Sequence, residues 1–156
     1  KGIPVSSISM EGAKVTFGDT KEGTMALRLN EAMRLTRNRK PAEGRIVNSE
    51  GLRDGATWGK RAKWVDYYGP VEGQTVGVAI FDHPRNPRHP THWHVRDYGL
   101  FAANPFGIHD FEKKPDGTGD LEVAAGQSVT WRYRFYFHRG DEQEAKVAER
   151  YAEYAQ

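Results

Sequence analysis

Four of the six histidines lie within one stretch of eighteen residues, positions 81–98. From position 92 to 98 the stretch alternates with a period of two, which predicts a β-strand whose side chains point to opposite faces in turn. Trp93 and Val95 fall on one face of this strand and are expected to pack on a core. The opposite face carries a row of polar side chains, namely His92, His94, Arg96 and Tyr98. Such a row is unusual on a solvated strand and indicates a functional site.

One chemistry open to this row is metal binding. Two histidines two residues apart on a strand place both imidazoles on one side, where they can converge on a divalent metal ion. His83 or His89 would complete a set with His92 and His94, although Asp97 falls on the opposite face and adds no carboxylate. The alternative is that these imidazoles pack and hydrogen-bond within a proline-rich crossover. The pattern leaves both interpretations open.

The same residue types also suit a carbohydrate or another small polar ligand. Sugars stack their C–H faces on aromatic rings and bond their hydroxyls to charged or amide groups. Trp58 lies in a polar loop and is the expected platform. The other expected ligand-binding residues are polar or cationic side chains elsewhere in the chain: Arg28, Asn104 and Arg134. With an acidic sugar, Arg96 or Arg134 is expected to form a bidentate pair with the carboxylate.

Catalysis at this face would use acid–base groups. One histidine and one carboxylate suffice for elimination or mutarotation, and histidine titrates near neutral pH. The expected catalytic residues are His92, His94, Arg96 and Glu22, although a turn is an alternative role for Glu22. Glycoside hydrolysis needs a carboxylate pair at a set separation, which a sequence does not specify. A hydrolase, a lyase, an epimerase and a protein without catalytic activity all remain open.

The composition excludes several classes of function. The 156 residues suit one domain with a true core. The chain has no cysteine, which excludes disulfides, thiolate metal sites and cysteine nucleophiles. A formal charge of +2 predicts no nucleic-acid partner, and no run of eighteen apolar residues is present to span a membrane. A basic cluster at Arg34, Arg37, Arg39 and Lys40 is either a solvated loop or a contact for an anionic partner.

Turn residues recur about every eight to twelve positions, which predicts an all-β fold, an antiparallel β-sandwich over residues 1–140. Residues 75–81 form a nearly continuous apolar run, typical of a central strand buried on both faces. Residues 13–17 and 24–29 are predicted to pair as a hairpin. The segment 128–138 is predicted to be the longest strand, with a core face made of Trp131, Tyr133, Phe135 and Phe137.

The last segment, residues 141–156, changes to a helical period. Asp141 and Glu144 have the spacing of a capping box, and Val147, Tyr151 and Tyr154 share one helical face. We therefore expect one C-terminal helix packed on the sandwich.

Short motifs throughout the chain resemble those of one bacterial family. They are Asp19-Thr20-Lys21-Glu22-Gly23, Trp58-Gly59-Lys60-Arg61-Ala62, Asp66-Tyr67, Ala79-Ile80-Phe81-Asp82-His83-Pro84, Asn86-Pro87, Trp93-His94-Val95-Arg96, Asn104-Pro105-Phe106-Gly107, Arg132-Tyr133-Arg134 and His138-Arg139-Gly140-Asp141. In these the chain resembles the C-terminal half of the PmoA-like family, nominally a methane oxygenase and otherwise of unknown function.

The resemblance implies three functions. The family name implies a metal-dependent oxygenase, whereas the association of its members with polysaccharide degradation implies carbohydrate binding or processing. The third is a non-catalytic module that completes the site of a partner. A missing N-terminal half, a partner chain or a second copy is then expected to complete the site, and the sandwich is expected to be a lobe of the larger kind seen in sugar mutarotases and lyases. The chain begins without Met or a signal peptide, so we expect a processed or partial chain from the periplasm or outside the cell.

Overall fold

A computed structural model describes residues 12–156 of the chain. The strands in this part are β1 (Val15–Phe17), β2 (Met25–Arg28), β3 (Thr36–Arg37), β4 (Lys40–Pro41), β5 (Arg45–Asn48), β6 (Trp64–Val71), β7 (Gln74–Asp82), β8 (His92–Val95), β9 (Leu100–Asn104), β10 (Leu121–Val123) and β11 (Tyr133–Arg139). The helices are α1 (Ile108–Glu112) and α2 (Val147–Tyr154), with short 3-10 turns at Glu31–Met33 and Asp54–Thr57. Neither α1 nor α2 has the length and apolar character that crossing a bilayer requires.

Two antiparallel sheets make up the body of the fold. The larger has the strand order β11-β7-β6-β5, and the smaller has the order β2-β9-β8. Two further pairs, β1 with β10 and β3 with β4, stand as separate two-stranded ribbons. Every pairing among these strands is antiparallel. The predicted all-β antiparallel fold is confirmed, and the open sheets are consistent with a sandwich.

The main core lies between the two sheets. Tyr67 and Ile80 of the larger sheet share it with Trp93 and Phe101 of the smaller one. The Trp93 indole is fully buried, and its Nε1 donates a hydrogen bond to the Ala62 carbonyl at 2.9 Å. Burying a large apolar side chain stabilises a fold by about 1.5–3 kcal/mol, so this layer holds the two sheets together.

A second core lies on the other face of the larger sheet, beneath α2. Phe81 contacts the rings of Tyr151 and Tyr154 on that helix, with centroids 5.7 and 6.0 Å away. Val147 is fully buried in the same cluster. Because Ile80 faces the main core and Phe81 the second, β7 is buried on both sides. This confirms the central strand predicted from its apolar run.

The C-terminal helix begins later than predicted. Asp141 Oδ1 accepts hydrogen bonds from the backbone N–H groups of Gln143 and Glu144, and Glu144 Oε2 accepts one from Asp141 N–H. The capping-box contacts therefore form as expected. They cap a series of turns, however, because Lys146 has a left-handed backbone (φ 55°) that a helix cannot contain. The regular helix starts at Val147.

The predicted hairpin between the first two strands is wrong. β1 pairs with β10, and β2 pairs with β9. The pairing with β9 places Met25 and Leu27 against the main core, where both are partly buried. A local hairpin would not have covered these two side chains, so burial of apolar surface decides against the shorter connection.

The predicted aromatic core stripe on β11 forms only in part: Tyr133 packs against the main core, but the two phenylalanines that follow do not. Phe135 and Phe137 are 37% and 72% exposed. β11 is the edge strand of the four-stranded sheet, and the opposing sheet has three strands, so its cover ends before these two rings. Beyond Tyr133, the opposite face of β11 is the packed one. There Tyr136 joins the second core, and His138 Nε2 lies 2.9 Å from the buried carboxylate of Asp66.

A pair of substitutions tests this reversal of faces. Phe81→Ala is expected to lower the free energy of unfolding by about 3–5 kcal/mol, because it leaves a cavity between β7 and α2. Phe137→Ser is expected to change it by less than about 0.5 kcal/mol, because the ring is mostly in solvent. Urea denaturation followed by tryptophan fluorescence measures both. Equal losses in the two variants would show that Phe137 is a core residue after all.

Candidate functional site

The strand at the centre of the predicted site forms, but its polar face is covered. β8 is extended over His92–Val95 and buries Trp93, as expected. His92 and His94 are only 2% and 5% exposed. The Phe111 ring of α1 lies over both imidazoles, with centroids 5.2 and 6.4 Å away. The open hollow expected around the two histidines is therefore filled by a side chain that the sequence pattern did not single out.

The His92 imidazole is held neutral beneath α1. Its Nε2 lies 3.1 Å from Glu112 Oε1, and Arg61 Nε lies 3.3 Å from the same oxygen. Burial, reinforced by the Arg61 charge, lowers the pKa of His92 to about 4 despite the opposing Glu112 carboxylate. At neutral pH a neutral imidazole thus donates its Nε2–H to a charged carboxylate. Only the tertiary contact with α1 reveals Glu112 and Arg61 as partners of His92.

The His94 imidazole is also held neutral, by a different contact. Its Nδ1 lies within hydrogen-bond distance of the Lys21 carbonyl, so Nδ1 carries the proton and Nε2 the lone pair. Burial lowers the pKa of His94, against the opposing effect of the Lys21 carbonyl. Trp58 packs edge-on against this ring, with centroids 6.1 Å apart. An imidazole in this state can accept a proton or a hydrogen bond through Nε2.

Outside the buried histidines lies a row of alternating cations and aromatic rings, which we call the arginine–aromatic row. Its members are Arg28, Tyr98, Arg96 and Trp58. The Arg28 guanidinium lies 5.4 Å from the centre of the Tyr98 ring, and the Arg96 guanidinium lies 5.5 Å from the same ring. Arg96 also lies 5.8 Å from the Trp58 ring. Cation–π contacts of this length order the guanidinium planes.

Three elements and one turn position this row. Arg28 ends β2 on the smaller sheet, and Trp58 follows the 3-10 turn Asp54–Thr57. The strand predicted to continue to position 98 ends at Val95, because the chain turns there: Gly99 N–H donates to the Arg96 carbonyl at 3.1 Å. This turn swings Tyr98 into an exposed position. Arg28, Trp58 and Arg96 were thus predicted as site residues, and the turn brings Tyr98 to them as the second ring of the row.

The other predicted site residues lie apart from this row or serve the chain itself. Glu22 is exposed, and its backbone N–H lies 3.4 Å from Thr20 Oγ1, which fits its alternative role in a turn. Its negative charge also acts on His94, where it opposes the lowering of the pKa by burial. Asn104 is fully buried; its Nδ2 donates to the Thr20 carbonyl, and its Oδ1 accepts from two backbone N–H groups. Arg134 stacks 4.5 Å from the Tyr154 ring, on the α2 side of the larger sheet. The structure does not bring Arg134 to the row.

The histidines proposed as metal ligands have separate partners. His83 Nδ1 accepts a hydrogen bond from Arg85 N–H at 3.0 Å, and the His83 ring packs edge-on against Tyr154 of α2, with centroids 5.2 Å apart. His89 Nδ1 lies 2.7 Å from Asp82. Within residues 12–156, no group of three histidine, aspartate or glutamate side chains is arranged to hold a metal ion. The described residues therefore do not fit the metal set considered from the sequence.

Residues 6–152 match a family of unknown function, DUF6807, and the chain belongs to that family. Membership in a family of unknown function is thus confirmed, whereas the match carries neither the PmoA-like name nor an activity. Comparisons with curated proteins and with solved structures find no match for the chain.

The neutral state of His92 makes a prediction about acid stability. The ordinary pKa of 6.5 applies to the unfolded chain and the lowered value of about 4 to the folded one. The unfolded state therefore binds the extra proton first, and stability is lost as pH falls from 6.5 to 4, by about 2–3 kcal/mol through His92. In His92→Gln this loss is expected to disappear, so the variant is less stable than wild type at pH 7.5 and approaches it at pH 4. Urea denaturation at both pH values measures this difference.

His109→Gln is the matched control, because the pKa of His109 is shifted the other way. A hydrogen bond to Asp19 raises the pKa of His109, so that pair stabilises the fold below pH 6.5 and loses its effect as pH rises. The difference between wild type and His109→Gln is expected to grow on acidification. A difference between wild type and His92→Gln that stays constant with pH would contradict the neutral buried imidazole.

Proposed function

We propose that this member of DUF6807 binds an anionic carbohydrate, a saccharide that carries carboxylate groups. The observation that carries the proposal is the arginine–aromatic row, in which two guanidiniums alternate with two aromatic rings at spacings of 5.4–5.8 Å. Guanidiniums pair with carboxylates in bidentate fashion, and aromatic rings take the C–H faces of sugar rings. A uronic acid presents both features on one ring.

The surroundings of the row favour a charged ligand over a neutral one. Arg28 and Arg96 form no ion pair within residues 12–156, so a ligand carboxylate would not compete with one from that part of the chain. Both guanidiniums are already ordered by Tyr98, which reduces the entropy lost when they bind. The neutral histidines below add no charge, so the attraction comes from the arginines.

A second candidate function is acid–base chemistry on the bound sugar, of the lyase or epimerase type. Two observations favour it: the free lone pair at His94 Nε2 and the exposed carboxylate of Glu22, whose charge acts on His94. In this candidate His94 accepts a proton and Glu22 supports its charged form. Hydrolysis by a carboxylate pair has less support, because Glu112 is engaged by Arg61 and His92.

The resemblance also implies two other functions, a metal-dependent oxygenase and a non-catalytic module. A metal-dependent oxygenase needs a ligand set, and within residues 12–156 no three histidine, aspartate or glutamate side chains are arranged to hold a metal ion. A non-catalytic module that completes the site of a partner is compatible with binding at the row. It would use the same arginines on the same class of ligand.

Arg96→Gln tests the proposal. The variant is expected to bind trigalacturonate about tenfold more weakly than wild type, since the charge-assisted pairing of Arg96 with a carboxylate is lost. Isothermal titration calorimetry measures the affinity, and circular dichroism checks that the variant folds. The neutral trisaccharide of galactose is expected to bind much more weakly to wild type and to be insensitive to the substitution.

Arg134→Gln is the matched control, because it removes the same charge from another cation–π contact on the opposite layer of the sandwich. It is expected to bind trigalacturonate like wild type. If Arg134→Gln weakened binding while Arg96→Gln did not, the ligand would lie on the α2 side and the proposed site would be wrong.

A further inference from the structure

We infer that the ligand is an acidic polysaccharide chain of several residues, because a basic hairpin fixed beside the arginine–aromatic row extends the cationic surface. The hairpin consists of β3, β4 and their turn, residues 36–41, and we call it the basic hairpin. The inference rests on the proposed function and specifies its ligand. It also assigns a role to the basic cluster, whose sequence alone left two interpretations open.

The tight turn of the basic hairpin contains an arginine in a left-handed backbone conformation that is energetically unfavourable for this residue. Arg37 pairs with Lys40, and the two turn residues Asn38 and Arg39 have φ values of 51° and 60°. A turn with two left-handed residues favours Asn and Gly, and another residue in that conformation costs about 1–2 kcal/mol. Arginine at the second position is unfavourable for the backbone. It places a guanidinium at the exposed tip of the hairpin.

Asp97 fastens the basic hairpin to the turn that carries the row. Its carbonyl accepts hydrogen bonds from the backbone N–H groups of Leu35 and Thr36, at 3.0 and 3.2 Å. Its Oδ2 accepts a third from Thr36 Oγ1 at 3.0 Å. Asp97 lies between Arg96 and Tyr98, which both belong to the row. The hairpin therefore has a set position relative to the row.

The cations of the hairpin are available to a ligand. Arg37, Arg39 and Lys40 are exposed, and none of them forms an ion pair in the described part of the chain. Arg34, the fourth member of the basic cluster, is already paired with a carboxylate, since its guanidinium lies 3.7 Å from Glu31. The hairpin therefore adds three cations to Arg28 and Arg96 of the row, to which Asp97 joins it.

A linear polyanion fits this region better than a single acidic sugar does. The hairpin residues beyond Thr36 extend about 7 Å further from Asp97, at roughly 3.3 Å a residue. One sugar ring on Tyr98 or Trp58 brings a single carboxylate to the row, whereas a chain with a carboxylate on each residue can pair with the cations of both the row and the hairpin. The second contact is then intramolecular and raises affinity without any change at the row. The net charge of +2 gives no overall field for nucleic acid, so this attraction is local.

The test compares chain length with and without the hairpin cations. The ligands are galacturonate oligomers of three and six residues, and the variant combines Arg37→Gln, Arg39→Asn and Lys40→Gln, with Asn chosen because it tolerates the left-handed turn. Wild type is expected to bind the hexamer at least about tenfold more tightly than the trimer. The variant is expected to bind the trimer within about twofold of wild type and to lose the gain for the hexamer.

The control combines Arg132→Gln, Arg134→Gln and Lys146→Gln, which removes three exposed cations from the other side of the molecule. It is expected to keep the full gain for the hexamer. A hexamer gain that is missing in wild type, or kept by the hairpin variant, overturns the inference and leaves the proposed function standing if Arg96→Gln still weakens the trimer. No binding of either oligomer overturns both. Binding of a single-stranded hexathymidylate as tight as that of the hexamer shows a nucleic-acid ligand and also overturns the inference.

Discussion

The structure depends on the burial of β8 on both of its faces. Trp93 fills the space between the two sheets, and its indole is fixed to the Ala62 carbonyl. One residue to either side, His92 and His94 lie under Phe111 of α1. A strand enclosed in this way cannot shift by one residue without moving the indole out of the core between the sheets and a polar imidazole into it. The position of the strand therefore sets the positions of Arg96 and Tyr98, which follow directly after it.

Burial also separates neutral from charged side chains around β8. The imidazoles below α1 are neutral, since desolvation lowers the pKa of His92 and of His94. The guanidiniums of Arg28 and Arg96 lie outside, where water and the ring of Tyr98 surround them. In the proposed function, the charge that faces the ligand would therefore come from the arginines and not from the buried histidines. An imidazole without charge can be packed against an aromatic ring at little cost.

Sequence periodicity predicted strands correctly where other elements of the fold pack on both faces of the strand. It located the extended segment around Trp93 and the doubly buried β7, because alternation and continuous apolar runs report directly on burial. It failed on β11, where Phe135 and Phe137 have the spacing of a core face and lie in solvent. The pattern contains no information about the width of the opposing sheet. Nor does the pattern show which strands pair: β2 was expected to pair with its neighbour β1, but its partner is β9, which is distant in the chain.

The candidate site was found in part. Trp58, Arg28 and Arg96 were expected at one site, and the structure places them in one row. Asn104 was predicted to bind a ligand, but its side-chain oxygen accepts hydrogen bonds from the backbone of the turn that follows β9. Glu112 and Arg61 were missed, since nothing in the spacing of α1 relates it to β8. Arg134 was assigned to the site by residue type, and its contact with Tyr154 places it on another layer.

The amino-acid sequence by itself determined the class of fold, the presence of a strand that starts at position 92 and the kinds of side chain that its polar face carries, but not that this strand ends at Val95. These follow from alternation and composition, which act through neighbouring residues. Only the tertiary structure decided that Phe111 covers the two imidazoles, that Arg28 meets Tyr98, and that Asp97 binds the hairpin of Thr36. Each of these contacts joins residues far apart in the chain. Their formation depends on how sheets and helices pack, and that packing is settled by the total apolar surface buried rather than by any local pattern.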